Sequence, residues 1–218
     1  FFVVEGLIEP GDAAATAANI RESEGLFRLS LVSFLVVFIV DVVVAWALYN
    51  SYVENRVEKA SSALSAAMEL QGDERIAALA DVAAEYGSTS SGLWAEVNQA
   101  HELAKAGKTD EGLKKYQAIK KDLGNGEALS PLLTLGIAQL YEKKGAYDEA
   151  AKEYELLKGV KGYESMGYLG VARILELQQD KSGALAVYQE YLNNFAASID
   201  IGQKALIEAK IARIEATK

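Results

Sequence analysis

The chain has 218 residues, with two prolines, no cysteine, half of its residues apolar and a formal net charge of −9. The missing cysteine excludes thiol catalysis, disulfides and thiolate metal sites. The acidic balance, with lysines interleaved among glutamates as on a solvated helix face, excludes the basic stripe that phosphate recognition needs. Mean hydropathy is +0.04, the average of one strongly apolar stretch and a water-compatible remainder.

In chain order, residues 1–28 read as a membrane-proximal helical segment. The first eight look like the tail of an apolar helix, ended by Pro10-Gly11, and Asp12 is placed to cap a short helix through Ala13–Ile20. Residues 29–49 follow as a transmembrane helix. Leu29–Tyr49 is twenty-one residues with Asp41 as its one charge, and at 1.5 Å per residue it is about 31 Å long, enough to cross a hydrocarbon core. Arg28 marks one end and Trp46, Tyr49 and Tyr52 the other, as interfacial anchors do. Arg21 and Arg28 before the span balance Arg56 and Lys59 after it, so charge does not orient it. Asp41 is costly at that depth unless it is protonated, snorkels or faces another helix, which makes it a candidate intramembrane helix contact. Residues 50–58 form a connector.

Residues 59–200 hold four copies of a helix-pair pattern, 59–92, 93–126, 131–164 and 165–198. Their eighth positions are Ala66, Ala100, Ala138 and Ala172, their twentieth Ala78, Gly112, Ala150 and Ala184, and their twenty-fourth Val82, Tyr116, Tyr154 and Tyr188. Small residues let two antiparallel helices approach, and the large one plugs the gap to the next pair. The third copy is the clearest. Ser130 reads as an N-cap before Pro131, Leu132, Leu135, Ala138 and Tyr141 follow at helical spacing, and Gly145-Ala146-Tyr147-Asp148-Glu149-Ala150 turns into the second helix. The first copy is weakest, with its turn at Leu70-Gln71-Gly72-Asp73 one residue out of step. Residues 201–218 read as a capping helix, with Ala205, Ile207, Ile211 and Ile214 inward and Lys204, Glu208, Lys210 and Arg213 outward. The pattern is identified as the tetratricopeptide repeat (TPR). The expected fold is all-α: an N-terminal transmembrane helix, an α-solenoid of about four TPR helix pairs and a capping helix.

Two further resemblances divide the chain. From Gly11-Asp12-Ala13-Ala14-Ala15-Thr16-Ala17-Ala18-Asn19-Ile20 through Glu24-Gly25-Leu26-Phe27-Arg28 to Asp41 and Leu48-Tyr49, roughly the first 50 residues resemble part of a multi-pass bacterial membrane family of uncharacterised function. That likeness does not extend into the repeats. From about Tyr52 onward, Gly145 to Ala150, Gly167-Tyr168-Leu169-Gly170-Val171-Ala172-Arg173 and Ala184-Leu185-Ala186-Val187-Tyr188 are similar to the YfgM-like group of bacterial inner-membrane proteins. That resemblance implies a single-pass, anchored periplasmic scaffold associated with the translocon and with periplasmic chaperones.

The residues offer little chemistry. His101 is the one histidine, beside Glu102, so imidazoles cannot assemble a metal site or a triad. Gly124-Asn125-Gly126 and Gly167-Tyr168-Leu169-Gly170 follow no strand and lack the lysine and hydroxyl of a phosphate loop. No catalytic, cofactor or metal site is expected, nor a nucleic-acid or small-molecule partner. Two classes remain. One is a membrane-anchored adaptor binding proteins in the solenoid groove; the other is a non-catalytic accessory or structural subunit of a membrane complex, docked through its N-terminal helices. First-helix positions two, five and nine normally line the concave face, and here they are Trp94, Val97 and His101, then Leu132, Leu135 and Gln139, then Met166, Leu169 and Arg173. This mainly apolar set lacks the basic cluster that clamps a carboxylate terminus, so an acidic-tail ligand is not expected.

Overall fold

The computed structural model describes residues 6–123, 128–195 and 199–216, and among them every regular element is an α-helix. The chain divides into two units, Phe1–Lys59 and Ala60–Lys218. In the first, α1 (Ala13–Glu22) is capped as expected: the Asp12 carboxylate accepts from the backbone N–H groups of Ala14 and Ala15 at 3.0 and 2.9 Å. The helix that follows, α2 (Glu24–Glu69), is longer than the span in the sequence. It takes in the expected span and the 50–58 connector, where no glycine or proline interrupts the periodicity, and it runs on into the second unit. Between Leu29 and Tyr52 its large apolar side chains are exposed on every face, and among the described residues none buries any part of its most apolar window. The expected apolar tail at 1–8 falls partly on residues 1–5, outside the described residues.

The second unit is the solenoid. The end of α2 and α3 (Gly72–Tyr86) form the first pair; α4 (Ser90–Lys105) and α5 (Thr109–Leu123), α6 (Ser130–Lys143) and α7 (Tyr147–Lys158), and α8 (Glu164–Leu177) and α9 (Lys181–Phe195) form the next three; α10 (Ile201–Glu215) closes the array. The small positions are where the helices meet: Ala100, Ala138, Ala150, Ala172 and Ala184 are wholly buried. At Gly112 even a methyl group is excluded, because a Cβ there would lie 2.8 Å from the Ala100 carbonyl oxygen. The large position keys into the next copy. A Cβ at Gly136 would touch the Tyr116 ring at 3.0 Å, and one at Gly170 would overlap the Tyr154 ring at 2.3 Å. Both glycines are sixth in their copies. Buried clusters accordingly straddle the junctions: Tyr116 packs with Leu133 and Ile137, Tyr154 with Val171 and Ile174, and Tyr188 with Ile207 and Ile214 of α10.

Three of the first helices close in one way. Gly107, Gly145 and Gln179, fifteenth in their copies, have φ of 83°, 74° and 65°. The residue after each donates back to the carbonyl of Leu103, Tyr141 or Leu175 at 2.9, 3.0 and 2.9 Å, satisfying an end carbonyl as a left-handed C-terminal cap does.

Three details of the sequence reading are corrected. Ser130 is the first residue of α6 and is buried; Leu129 occupies the cap without a side-chain bond, so Pro131 still lies where its missing N–H has no acceptor to serve. In the first copy the frame slips by one: Ala67 and Leu79 are buried, while Ala66 is exposed and Ala78 only half-buried. Adjacent small residues made both phases plausible, and the inter-helix turn is two residues, Leu70 and Gln71. In α10, Ala205 faces solvent and the inward side is built by Ile207, Ile211 and Ile214. Thr217 and Gly124–Gly126 lie outside the described residues.

Candidate protein-interaction face

The nine residues proposed for the groove divide by position. The second position is open in two copies, with Trp94 40% and Met166 46% exposed, while Leu132 is half-buried against the cluster around Leu133 and Ile137. The fifth position is structural. Val97 is buried in the core, and Leu135 and Leu169 pack against the clusters on their own sides. Val97 is therefore corrected from groove residue to core residue, because its helix face meets α5 and α6 rather than solvent. The ninth position, His101, Gln139 and Arg173, is exposed. Next to Trp94 the face is fixed by Asn98, whose side-chain amide donates to the Trp94 carbonyl at 2.7 Å.

Arg173 is exposed but occupied. Its guanidinium donates to both carboxylate oxygens of Glu142 at 2.6 and 2.8 Å and to the Tyr154 hydroxyl at 3.0 Å. The Tyr154 hydroxyl in turn donates to Glu142 at 2.8 Å. This is a clamp across the junction of the third and fourth copies, with bidentate geometry that fixes orientation as well as supplying attraction. The Arg173 hydrogen bonds hold the Glu142 carboxyl below its usual range, against the opposite pull of desolvation. Burial pushes the Tyr154 hydroxyl far up, so it stays a donor.

The same arrangement recurs one copy later. Glu176, twelfth in its copy like Glu142, accepts from the Tyr188 hydroxyl at 2.5 Å and from Lys210 at 3.2 Å, and it pairs with Arg213. Desolvation raises the Glu176 pKa, but the bonds from Tyr188, Lys210 and Arg213 outweigh it, and the carboxyl titrates low. Lys210 and Arg213, expected to point outward, thus bind α10 to the array. The sequence carried a signal for these clamps: glutamate and tyrosine twelve residues apart in both copies, with a base in the following helix. A ladder of polar contacts joins successive turns as well, Lys108 to Asp73 at 2.8 Å, Lys144 to Asp110, and Gln178 to Asp148 at 2.8 Å.

What remains open on this face is Trp94, His101, Gln139 and Met166, joined by Leu177, which the sequence set did not include and which is 47% exposed. It is an apolar surface edged by His101 and Gln139. Among the described residues no group of three or more His, Asp or Glu side chains could hold a metal ion.

A family model for a domain of unknown function, DUF4386, matches residues 1–80. The match runs past residue 50 into the first helix pair, further than the resemblance read from the sequence. No curated protein matches the chain. Among solved structures, the nearly identical TPR-like repeats of a Podospora anserina protein named as a kinesin light chain are 17% identical, covering 76% of this chain and 86% of that one, with a TM-score of 0.54. A tetratricopeptide repeat protein from Parabacteroides merdae is 14% identical over 75% of this chain and 60% of its own, also with a TM-score of 0.54. At these identities the likeness shows the fold alone, a TPR-like solenoid.

Proposed function

We propose that this chain is a membrane-anchored TPR scaffold that binds proteins on the face formed by its first helices, and that it is not an enzyme. The observation that carries the anchor is the stretch of α2 from Leu29 to Tyr52, whose large apolar side chains are exposed all round, with none of its most apolar window buried among the described residues. A water-soluble helix of that composition would be buried; a bilayer supplies the missing apolar surroundings. The scaffold role rests on the TPR-like fold and on the open apolar positions at Trp94, Met166 and Leu177. A single-pass bacterial inner-membrane protein with a periplasmic solenoid, meeting translocon or chaperone components, is the finer reading supported by the YfgM-like resemblance.

The test is site-directed photocrosslinking in intact membranes. A crosslinker at Trp94 or Met166 should capture defined protein partners, and one at Lys152, on a second helix, should not. The chain should also stay with the membrane pellet after alkaline extraction. Release by alkali removes the anchor; equal capture from both faces removes the groove. The alternative, an accessory subunit docked through its N-terminal helices, is favoured by Asp41 and predicts silent groove positions and capture from α2.

A further inference from the structure

The apolar helix is not uniform around its circumference. Between Leu29 and Tyr49 the non-aromatic polar side chains are Ser30, Ser33 and Asp41, and at about 100° per residue they fall, with Ala45, within an arc of roughly 120°. The opposite side is Val32, Val36, Ile39 and Val43. Both serines are satisfied within their own helix: Ser30 donates to the Phe27 carbonyl at 2.7 Å and Ser33 to the Leu29 carbonyl at 2.8 Å.

Asp41 is different. It stands two residues past the midpoint of the stretch, about 3 Å along the axis, and among the described residues none buries the window around it. It has no base within reach on its own helix. The nearest in sequence, Arg28, is about 20 Å away along the axis and is paired with Glu24 at 2.5 Å.

Lipid offers such a carboxylate nothing, and ionisable groups at this depth face a bundle interior and pair with another group. A second copy of the chain would present the same face, with another carboxyl group and again no base to complement it. A helix with a basic residue is the complementary occupant. We infer that the Asp41 face docks a transmembrane helix of a partner protein carrying an arginine or lysine near its middle, with the Val32, Val36, Ile39 and Val43 side left to lipid. This rests on the membrane reading of Leu29–Tyr49 proposed above.

The test uses the full chain, donor-labelled, in phosphatidylcholine vesicles with an acceptor-labelled polyleucine helix bearing one central arginine, or leucine in its place. The arginine helix should associate roughly fivefold or more above the leucine helix, the range expected of one interhelical polar contact. Asp41→Leu should bring it down to the leucine level, Asp41→Asn should fall between, and Val36→Ala on the opposite side should change nothing. Equal association of the two probes, or association that survives Asp41→Leu, overturns the proposal. So does Asp41-dependent energy transfer between donor- and acceptor-labelled copies of the chain that exceeds pairing with the arginine helix. Insertion is read separately, in a Trp94→Phe background, from quenching of Trp46 by lipids brominated in their acyl chains. If Trp46 escapes quenching, the membrane reading and the docking face fall together; if it is quenched and the probes are equal, only the docking face falls.

Discussion

Gly170 offers a sharp test of how the copies lock. A methyl group there would lie 2.3 to 2.7 Å from carbons of the Tyr154 ring. That ring is 1% exposed, and its hydroxyl is held by Glu142 and Arg173, so it cannot swing aside without breaking the clamp. Overpacking of this kind costs typically 1–3 kcal/mol. For an array of this size about 2 kcal/mol lowers the melting temperature by roughly 4–8 °C. Gly136→Ala meets the Tyr116 ring at 3.0 to 3.3 Å and should lower it by less than half as much. Gly159→Ala has open space and should change it little. Thermal melts of the full chain in mild detergent, followed by circular dichroism, rank the three. Equal shifts, or an unchanged melt for Gly170→Ala, would refute the keyed junction.

Gln179→Gly should raise stability by roughly 0.5–1 kcal/mol, because a side chain at φ 65° is strained where Gly107 and Gly145 are not; a lower denaturation midpoint in urea would count against it. Trp94→Ala should leave the melt nearly unchanged while abolishing crosslinks from Met166, whereas Arg173→Ala should cost on the order of 1 kcal/mol, since it strips a half-exposed clamp from Glu142 and Tyr154. The Arg173 hydrogen bonds set the Glu142 carboxyl below its ordinary value of 4.5, so its stabilisation is complete above that value and is lost as pH falls through the lower folded one. Stability measured below about pH 4.5 should therefore fall more steeply in the wild type than in Glu142→Gln. Ala150→Leu or Ala184→Leu should destabilise by about 1–3 kcal/mol and Lys152→Ala by much less, with equal melts marking a wrong register.

The helix pairs from 93 to 198 were legible because their signal is steric: alanine or glycine where helices touch, tyrosine where the next copy begins. The first pair was legible in kind but not in phase. Ala66 and Ala67 are interchangeable as letters, and only burial against Leu79 and Val82 separates them. The 50–58 connector is part of one continuous helix, because Glu54, Asn55, Arg56 and Glu58 fit a helix as readily as a linker and no glycine or proline interrupts them. The groove was half legible. Position numbers identify a helix face, but whether Val97 sees solvent depends on how closely α5 and α6 approach. Arg173 looked like a ligand contact because its carboxylate partner lies thirty-one residues upstream, in another copy.

The match between a tyrosine at position twenty-four and a glycine at position six of the following copy makes the repeats non-interchangeable. Tyr116 and Tyr154 each need a hollow ahead of them, and Gly136 and Gly170 supply it. The second copy has Asn98 at that place, behind Val82 rather than a ring. Recombination within such a gene is thereby restricted. Duplicating the fourth copy in tandem places Tyr188 before a new glycine and Glu176 before a new arginine, so the array can lengthen there without redesign. Moving the second copy behind the third or fourth drives a tyrosine into an asparagine. The order of the units is written into their edges.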